Sequence, residues 1–210
     1  VHLVAAIRES GRLTFQRVNF EGTRNLLQAA SEARVKRVIY SSTIGASSDP
    51  AIPYMNSRWM AEQETVNSDI PYTIIRFSVS FGEGDEFFNV LAAQVKLFPL
   101  VPVVGSGKTR FQPIAADDVA RCIVDACEKE DTVGRTLEVG GPTYITYDGM
   151  LDLVAETLGA RIAKVHVPLP LVRPAVAIMQ ALVPRPPVTT EQLKMLHLDI
   201  VADLDSVEKS

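Results

Sequence analysis

Histidine and cysteine are scarce in this chain, with three of the first and two of the second among 210 residues. His2, His166 and His197 lie far apart in sequence, and none has zinc-ligand spacing, so no metal site is expected. Cys122 and Cys127 share no helical face, which gives no disulfide framework and predicts a reducing compartment. An excess of positive charge is also lacking. The 21 Lys and Arg are scattered against 25 Asp and Glu, for a net charge of −4, which argues against nucleic acid as the main partner. Long apolar runs are missing too. The longest, residues 174–183, is bracketed by Arg173 and Arg185 and falls short of the roughly 20 residues a spanning helix needs, so no transmembrane segment is expected. A phosphate-binding P-loop is excluded although Gly105-Ser106-Gly107-Lys108-Thr109 ends like one. That loop needs glycine where Pro102 sits and a helix after Thr109, and Pro113 interrupts any helix there.

What is present alternates between strand and helix signals. Residues 1–6 read as a buried strand, and 15–34 as a helix with Val18, Leu26, Leu27, Ala30 and Ala33 at helical period. Further strands are expected at 35–41, 72–79 and 136–139, and helices at 54–67, 87–98 and 117–129. Thr146 or Asp148 caps a last helix that runs through Leu158 to Gly159. Strands apolar on both faces, separated by helices, predict an α/β fold with a parallel sheet covered by helices. The expected organisation is one domain over 1–160, with substrate-side segments interleaved at about 83–115, and a C-terminal lobe over 161–210. Proline at 168–174 and 184–187 marks the edges of that lobe.

The chemistry-bearing stretch is Ser41-Ser42-Thr43 at a strand end, followed by Pro53-Tyr54-Met55-Asn56-Ser57-Arg58. On a helix, Tyr54 and Arg58 share a face. A nearby cation stabilises a phenolate and can lower a phenol pKa from about 10 by roughly 1–3 units. The second Tyr-x-x-x-Arg, Tyr72 to Arg76, falls in a strand, where the two side chains would sit roughly 13 Å apart. In open α/β sheets ligands bind at the carboxyl ends of strands. Ala5-Ala6, Ser41-Ser42-Thr43 and Phe77-Ser78-Val79 are the ends expected to line one crevice.

In that order these segments resemble the short-chain dehydrogenase/reductase superfamily, in its extended and atypical branch. Residues 1–6 are similar to the fourth strand, which passes beside the dinucleotide, and Val18-Asn19-Phe20-Glu21-Gly22-Thr23 to the helix bearing a structural asparagine. Ser41-Ser42-Thr43 and Tyr54 match the active-site hydroxyls, and Arg76 to Gly82 the loop flanking the nicotinamide. Pro113-Ile114-Ala115-Ala116-Asp117-Asp118 resembles the motif that opens the substrate-side helix. Within the superfamily, Val104 to Pro113 and Pro186-Pro187-Val188-Thr189 resemble the accessory-subunit branch of respiratory complex I. The resemblance implies a Rossmann-type sheet that binds NAD or NADP. Tyr54 would exchange a proton with a substrate carbonyl or hydroxyl, Ser42 or Thr43 would orient that oxygen, and Arg58 would hold the nicotinamide ribose. Ala5, Ala6, Ser41, Phe77, Ser78 and Val79 would line the cofactor, and Asn89, Arg110 and Gln112 would lie on the substrate side. The 105–109 loop would be a substrate-side hairpin, with Arg110 or Gln112 facing the ligand.

Two departures from the family qualify this. Arg58 stands where the family has lysine, keeping the charge but offering a planar fork. The glycine fingerprint for pyrophosphate is absent, and residues 1–6 open on an apolar run without Met. A chain lacking its first βαβα units is therefore expected, binding dinucleotide weakly or not at all. Either an NAD(P)-dependent reductase or epimerase-like enzyme results, or a non-catalytic NAD(P)H-binding scaffold or assembly factor docked on a respiratory-chain complex or tied to quinone biosynthesis. A regulatory redox sensor is the third option. The expected location is cytoplasmic and peripheral to a membrane, with organellar targeting not legible in these residues.

Overall fold

The computed structural model describes residues 1–182, 193, 195 and 198–202. They divide between two compact units: 1–78 with 117–140 and Ala202 in the first, and 79–116 with 141–201 in the second.

The first unit is built on a three-stranded sheet of β1 (Val38–Thr43), β2 (Tyr72–Phe77) and β7 (Arg135–Val139), in the order β1-β2-β7. Both pairings are parallel. Parallel neighbours require a crossover, and α2 (Pro53–Val66) supplies it between β1 and β2. Consecutive residues Ile39 and Tyr40, and Ile74 and Ile75, are all buried, so both faces of the sheet are covered. Pro53 opens α2, where its missing N–H costs nothing. A π-helical turn, Gln16–Glu21, runs directly into α1 (Gly22–Glu32), and α4 (Ala116–Glu128) begins with the acidic pair Asp117-Asp118. The register aligns Thr43 with Phe77 and Phe77 with Val139, so the three carboxyl ends lie side by side.

The expected strand over 1–6 is reduced to a single bridge. His2 pairs in parallel with Tyr40, on the edge of β1 that β2 does not occupy. Beyond it, the N–H and C=O of Ala6 are taken by the Asn19 side chain at 2.7 and 3.1 Å, which ends any ladder there.

The second unit packs α3 (Glu86–Leu97) and α5 (Tyr147–Thr157) around Leu91, Val95, Val101, Val103, Phe111, Met150 and Leu151. Its strands form three short pairs. β3 (Ser80–Phe81) runs parallel to β6 (Ile114–Ala115), and β4 (Leu100–Val104) parallel to β9 (Ala163–Val167). β5 (Arg110–Phe111) is antiparallel to β8 (Ile145–Thr146). The cap of α5 is Thr146, whose hydroxyl accepts from the Gly149 N–H at 3.1 Å. An apolar α6 (Leu169–Leu182) follows. The hairpin expected around 105–109 does not form, because β4 and β5 belong to different pairs. Gly107, at φ +68°, makes the turn against Asp148, where a Cβ would lie 2.3 Å from a carboxylate oxygen. Of the expected 161–210 lobe, Pro184 to Thr189 lie outside the described residues.

Candidate functional site

The first-unit candidates lie at the carboxyl ends of β1 and β2, in the first turns of α2 and in the Ala5-Ala6 segment. Asn19 is fully buried and ties them together. Its amide oxygen accepts from the Ala6 N–H, and its amide nitrogen donates to Ser57 Oγ at 3.0 Å. Ser57 in turn donates to the Tyr54 carbonyl at 2.7 Å. One side chain thus fixes the Ala5-Ala6 segment relative to the turn that presents Tyr54. Ala5 is exposed and Ala6 half-buried.

Tyr54 is half-buried, with its ring edge-on to Phe15 at 5.6 Å. Burial pushes its phenol above the ordinary value, while the Arg58 guanidinium and a side-chain hydrogen bond with Thr43 pull the other way. Burial wins, so at neutral pH Tyr54 is a neutral acid with a proton to give. The structure therefore brings Thr43, Tyr54 and Arg58 together. Arg58 itself is buried. Its Nη2 donates to the Ser41 carbonyl, and the guanidinium stacks over the Tyr40 ring at 5.0 Å.

Ser42 takes a different direction, because neighbouring strand side chains alternate. Its hydroxyl donates to the buried Glu62 at 2.5 Å, at the inner end of a partly buried ion cluster. Glu62 receives a two-pronged contact from Arg76, Nε to Oε1 at 2.9 Å and Nη2 to Oε2 at 2.6 Å, and Arg76 also reaches Glu138 at 3.2 Å. Sequence reasoning set Arg76 aside and did not single out Glu62. The available signal was position, since Glu62 sits four and eight residues after Arg58 and Tyr54 on one helical face. Phe77 and Ser78 are buried at the end of β2.

The remaining candidates belong to the second unit. Val79 packs into that unit's core. Asn89 is exposed on α3 and donates to the Asp85 carbonyl at 2.5 Å. Arg110 is ion-paired to Asp199. Gln112 is wholly buried, and its side-chain amide donates to the Gly141 carbonyl at 2.6 Å while its main-chain carbonyl accepts from the Gly141 N–H. This differs from the expected ligand-facing role: Gln112 holds a close backbone approach, at which a Cβ on Gly141 would lie 1.8 Å from the Pro113 carbonyl oxygen.

A family model for the NAD dependent epimerase/dehydratase family matches residues 1–140. The chain belongs to that family. Two curated relatives carry the name NADH dehydrogenase [ubiquinone] 1 alpha subcomplex subunit 9, mitochondrial. The Arabidopsis thaliana protein is 26% identical over 95% of this chain and 50% of its own length. The Mus musculus protein is 35% identical over 68% of this chain and 38% of its own length. The chain thus spans half or less of the length of these two relatives. A solved UDP-glucuronic acid 4-epimerase from Bacillus cereus in complex with NAD superposes with a TM-score of 0.69 at 22% identity, over 80% of this chain and 61% of that one. That similarity bears on the fold, a Rossmann-type α/β architecture. Among the described residues, no helix is long and apolar enough to cross a membrane.

The buried phenols also set a pH limit. Burial pushes the Tyr40 phenol up to about 12. An unfolded chain loses that proton near pH 10, so this contribution is intact below pH 10 and lost as pH rises through about 12. Unfolding free energy is expected to fall by about 2–3 kcal/mol across that window. In Tyr40→Phe, urea titrations at stepped pH should show a shallower decline; an unchanged slope would show that Tyr40 does not set it.

Proposed function

We propose that this chain carries the nicotinamide side of an NAD(P)-binding site, and that Tyr54 is its proton donor and acceptor toward a substrate oxygen. The observation that carries the reading is the meeting of Thr43 and Arg58 at the Tyr54 phenol. In the proposed role, Thr43 orients the substrate oxygen that Tyr54 protonates. Ala5 and Ala6 border the ring, and Arg58 holds positive charge below the phenol. The bound cofactor would supply the hydride. The small alanines fit a flat ring lying close to backbone. The pyrophosphate side is not supplied by this sequence, which has no Gly-x-Gly-x-x-Gly turn.

Weak, one-sided binding is therefore expected. In saturation-transfer NMR with NADH, this 210-residue chain should enhance the nicotinamide and its ribose over the adenine. Fluorescence titration with NADH or NADPH should not show tight binding. Enhancement dominated by adenine, or no enhancement at all, would overturn the assignment.

A second reading has its own support. Arg58 is committed to the Ser41 carbonyl and the Tyr40 ring, which suits a structural role. The named relatives are subunits of a respiratory complex. On this reading the protein is an NAD(P)H-binding scaffold peripheral to a membrane complex, with no turnover.

A further inference from the structure

Residues 1–6 are gripped at two points. At His2 the main-chain N–H donates to the Ile39 carbonyl at 2.8 Å, and the carbonyl accepts from the Ser41 N–H at 3.1 Å. At Ala6 the Asn19 side chain takes both main-chain groups. Between these points Leu3, Val4 and Ala5 are exposed, so burial adds little to the hold. The His2 side chain completes the first grip. It is buried, with Nε2 at 2.9 Å from Thr23 Oγ1. Thr23 lies one turn after Asn19, so both grips end on the same helical stretch. Ser41 links His2 to the candidate site, since its N–H meets His2 and its carbonyl accepts from Arg58.

The tautomer of His2 follows from hydrogen counting. The Thr23 hydroxyl has a single hydrogen, and its oxygen lies 2.6 Å from the Asn19 carbonyl oxygen. A carbonyl only accepts, so that hydrogen is committed there. Thr23 is left to accept from His2, which puts the imidazole proton on Nε2. Nδ1 is buried without a partner. A proton added there would be a charged donor in the interior with nothing to receive it. The neighbours oppose it as well. Arg58 faces the ring from α2, and the Val1 amino group acts from the segment itself, both positive. From β1 and α1 the ring meets Tyr40, at 5.3 Å between centroids, and Thr23, both neutral. Burial first, then Arg58 and the amino group, hold the imidazole below its ordinary 6.5.

We infer that His2 is a positioning residue that holds residues 1–6 on the edge of β1 only as its neutral Nε2–H tautomer, and that protonating it releases the segment. The consequence for the cofactor rests on the function proposed above; the release itself does not. A histidine with a lowered value in the folded state contributes stability that is present above about pH 6.5 and lost as pH falls. Nitrogen-15 NMR of the wild-type imidazoles should show His2 protonated on Nε2 at pH 7 and titrating well below 6.5. Hydrogen-exchange protection of the Ser41 amide, corrected for intrinsic rate, should drop between pH 7 and pH 5 by up to about 30-fold, the limit for a group that titrates near 6.5 once released. His2→Gln keeps a donor for Thr23 and does not titrate, so it should retain protection at pH 7 and lose the pH dependence. His2→Phe, with no donor, should lose protection at both. An Nδ1–H tautomer at pH 7, or an unchanged pH dependence in His2→Gln, overturns the inference. If His2→Gln does not fold, the wild-type titration decides, and a midpoint at or above 6.5 overturns it. Saturation transfer with NAD tests the link to the site: the nicotinamide signal should fade with Ser41 protection in the wild type and persist at pH 5 in His2→Gln. A nicotinamide signal that outlasts release in the wild type would remove Ala5 and Ala6 from the ring and leave the role of His2 standing.

Discussion

Replacing Glu62 with alanine is expected to lower the unfolding free energy by about 3–5 kcal/mol, the cost of stripping one partner from a buried ion pair. Glu62 is 2% exposed and lies between three elements. It accepts from Ser42 on β1 and from two nitrogens of Arg76 on β2, and Arg76 continues to Glu138 on β7. Removing the carboxylate leaves a partly buried guanidinium facing an apolar methyl and orphans the Ser42 hydroxyl. The remaining Arg76–Glu138 contact offsets little, since both of those side chains are partly exposed. Glu62→Gln preserves shape and an acceptor, so it should cost less than alanine. The single tryptophan, Trp59, sits on α2 one turn from Glu62, and its fluorescence in urea reports this unit directly. A loss below about 1 kcal/mol in Glu62→Ala would place the cluster among ordinary surface pairs.

The Glu62 cluster also shows where sequence reading stops. Strand and helix placement was legible because it rests on local periodicity. β1, β2, β7 and the helices α2 to α5 lie within a few residues of their expected positions. The short strands β3, β6 and β8, of two residues each, carry no period to detect, and β9 pairs with β4 across some sixty residues. Pairing at that distance depends on the fold, not on either segment alone. The choice between Ser42 and Thr43 had the same character. Strand alternation sends adjacent hydroxyls in different directions, but only the placement of α2 sets Ser42 against Glu62 and Thr43 beside Tyr54. Gln112 and Arg110 were expected to offer, one or the other, a ligand-facing side chain beside the 105–109 loop. Their partners, Gly141 and Asp199, are 29 and 89 residues away.

Tyr54→Phe should reduce any NAD(P)-linked turnover by about 10²–10⁴-fold, the usual value of one acid–base group, with cofactor affinity nearly unchanged. The substitution removes one oxygen and keeps the ring against Phe15, so the loss is confined to the proton. Arg58 separates the two proposed roles. In Arg58→Ala the phenol loses the cation that opposes its burial, so the Tyr54 titration, followed by ultraviolet difference against Tyr54→Phe, should move higher still. Stability should fall too, because the Ser41 carbonyl and the Tyr40 face lose their buried partner. Arg58→Lys keeps the charge and one donor, and loses the planar stack over Tyr40. If Tyr54 is the proton donor, lysine should keep or raise turnover while alanine loses it. If the protein is a scaffold, both variants and Tyr54→Phe leave turnover at background, and only Arg58→Ala weakens retention of NAD(P)H. A Tyr54→Phe protein turning over at the wild-type rate would remove Tyr54 from the chemistry, leaving the phenol as packing between Phe15 and Thr43.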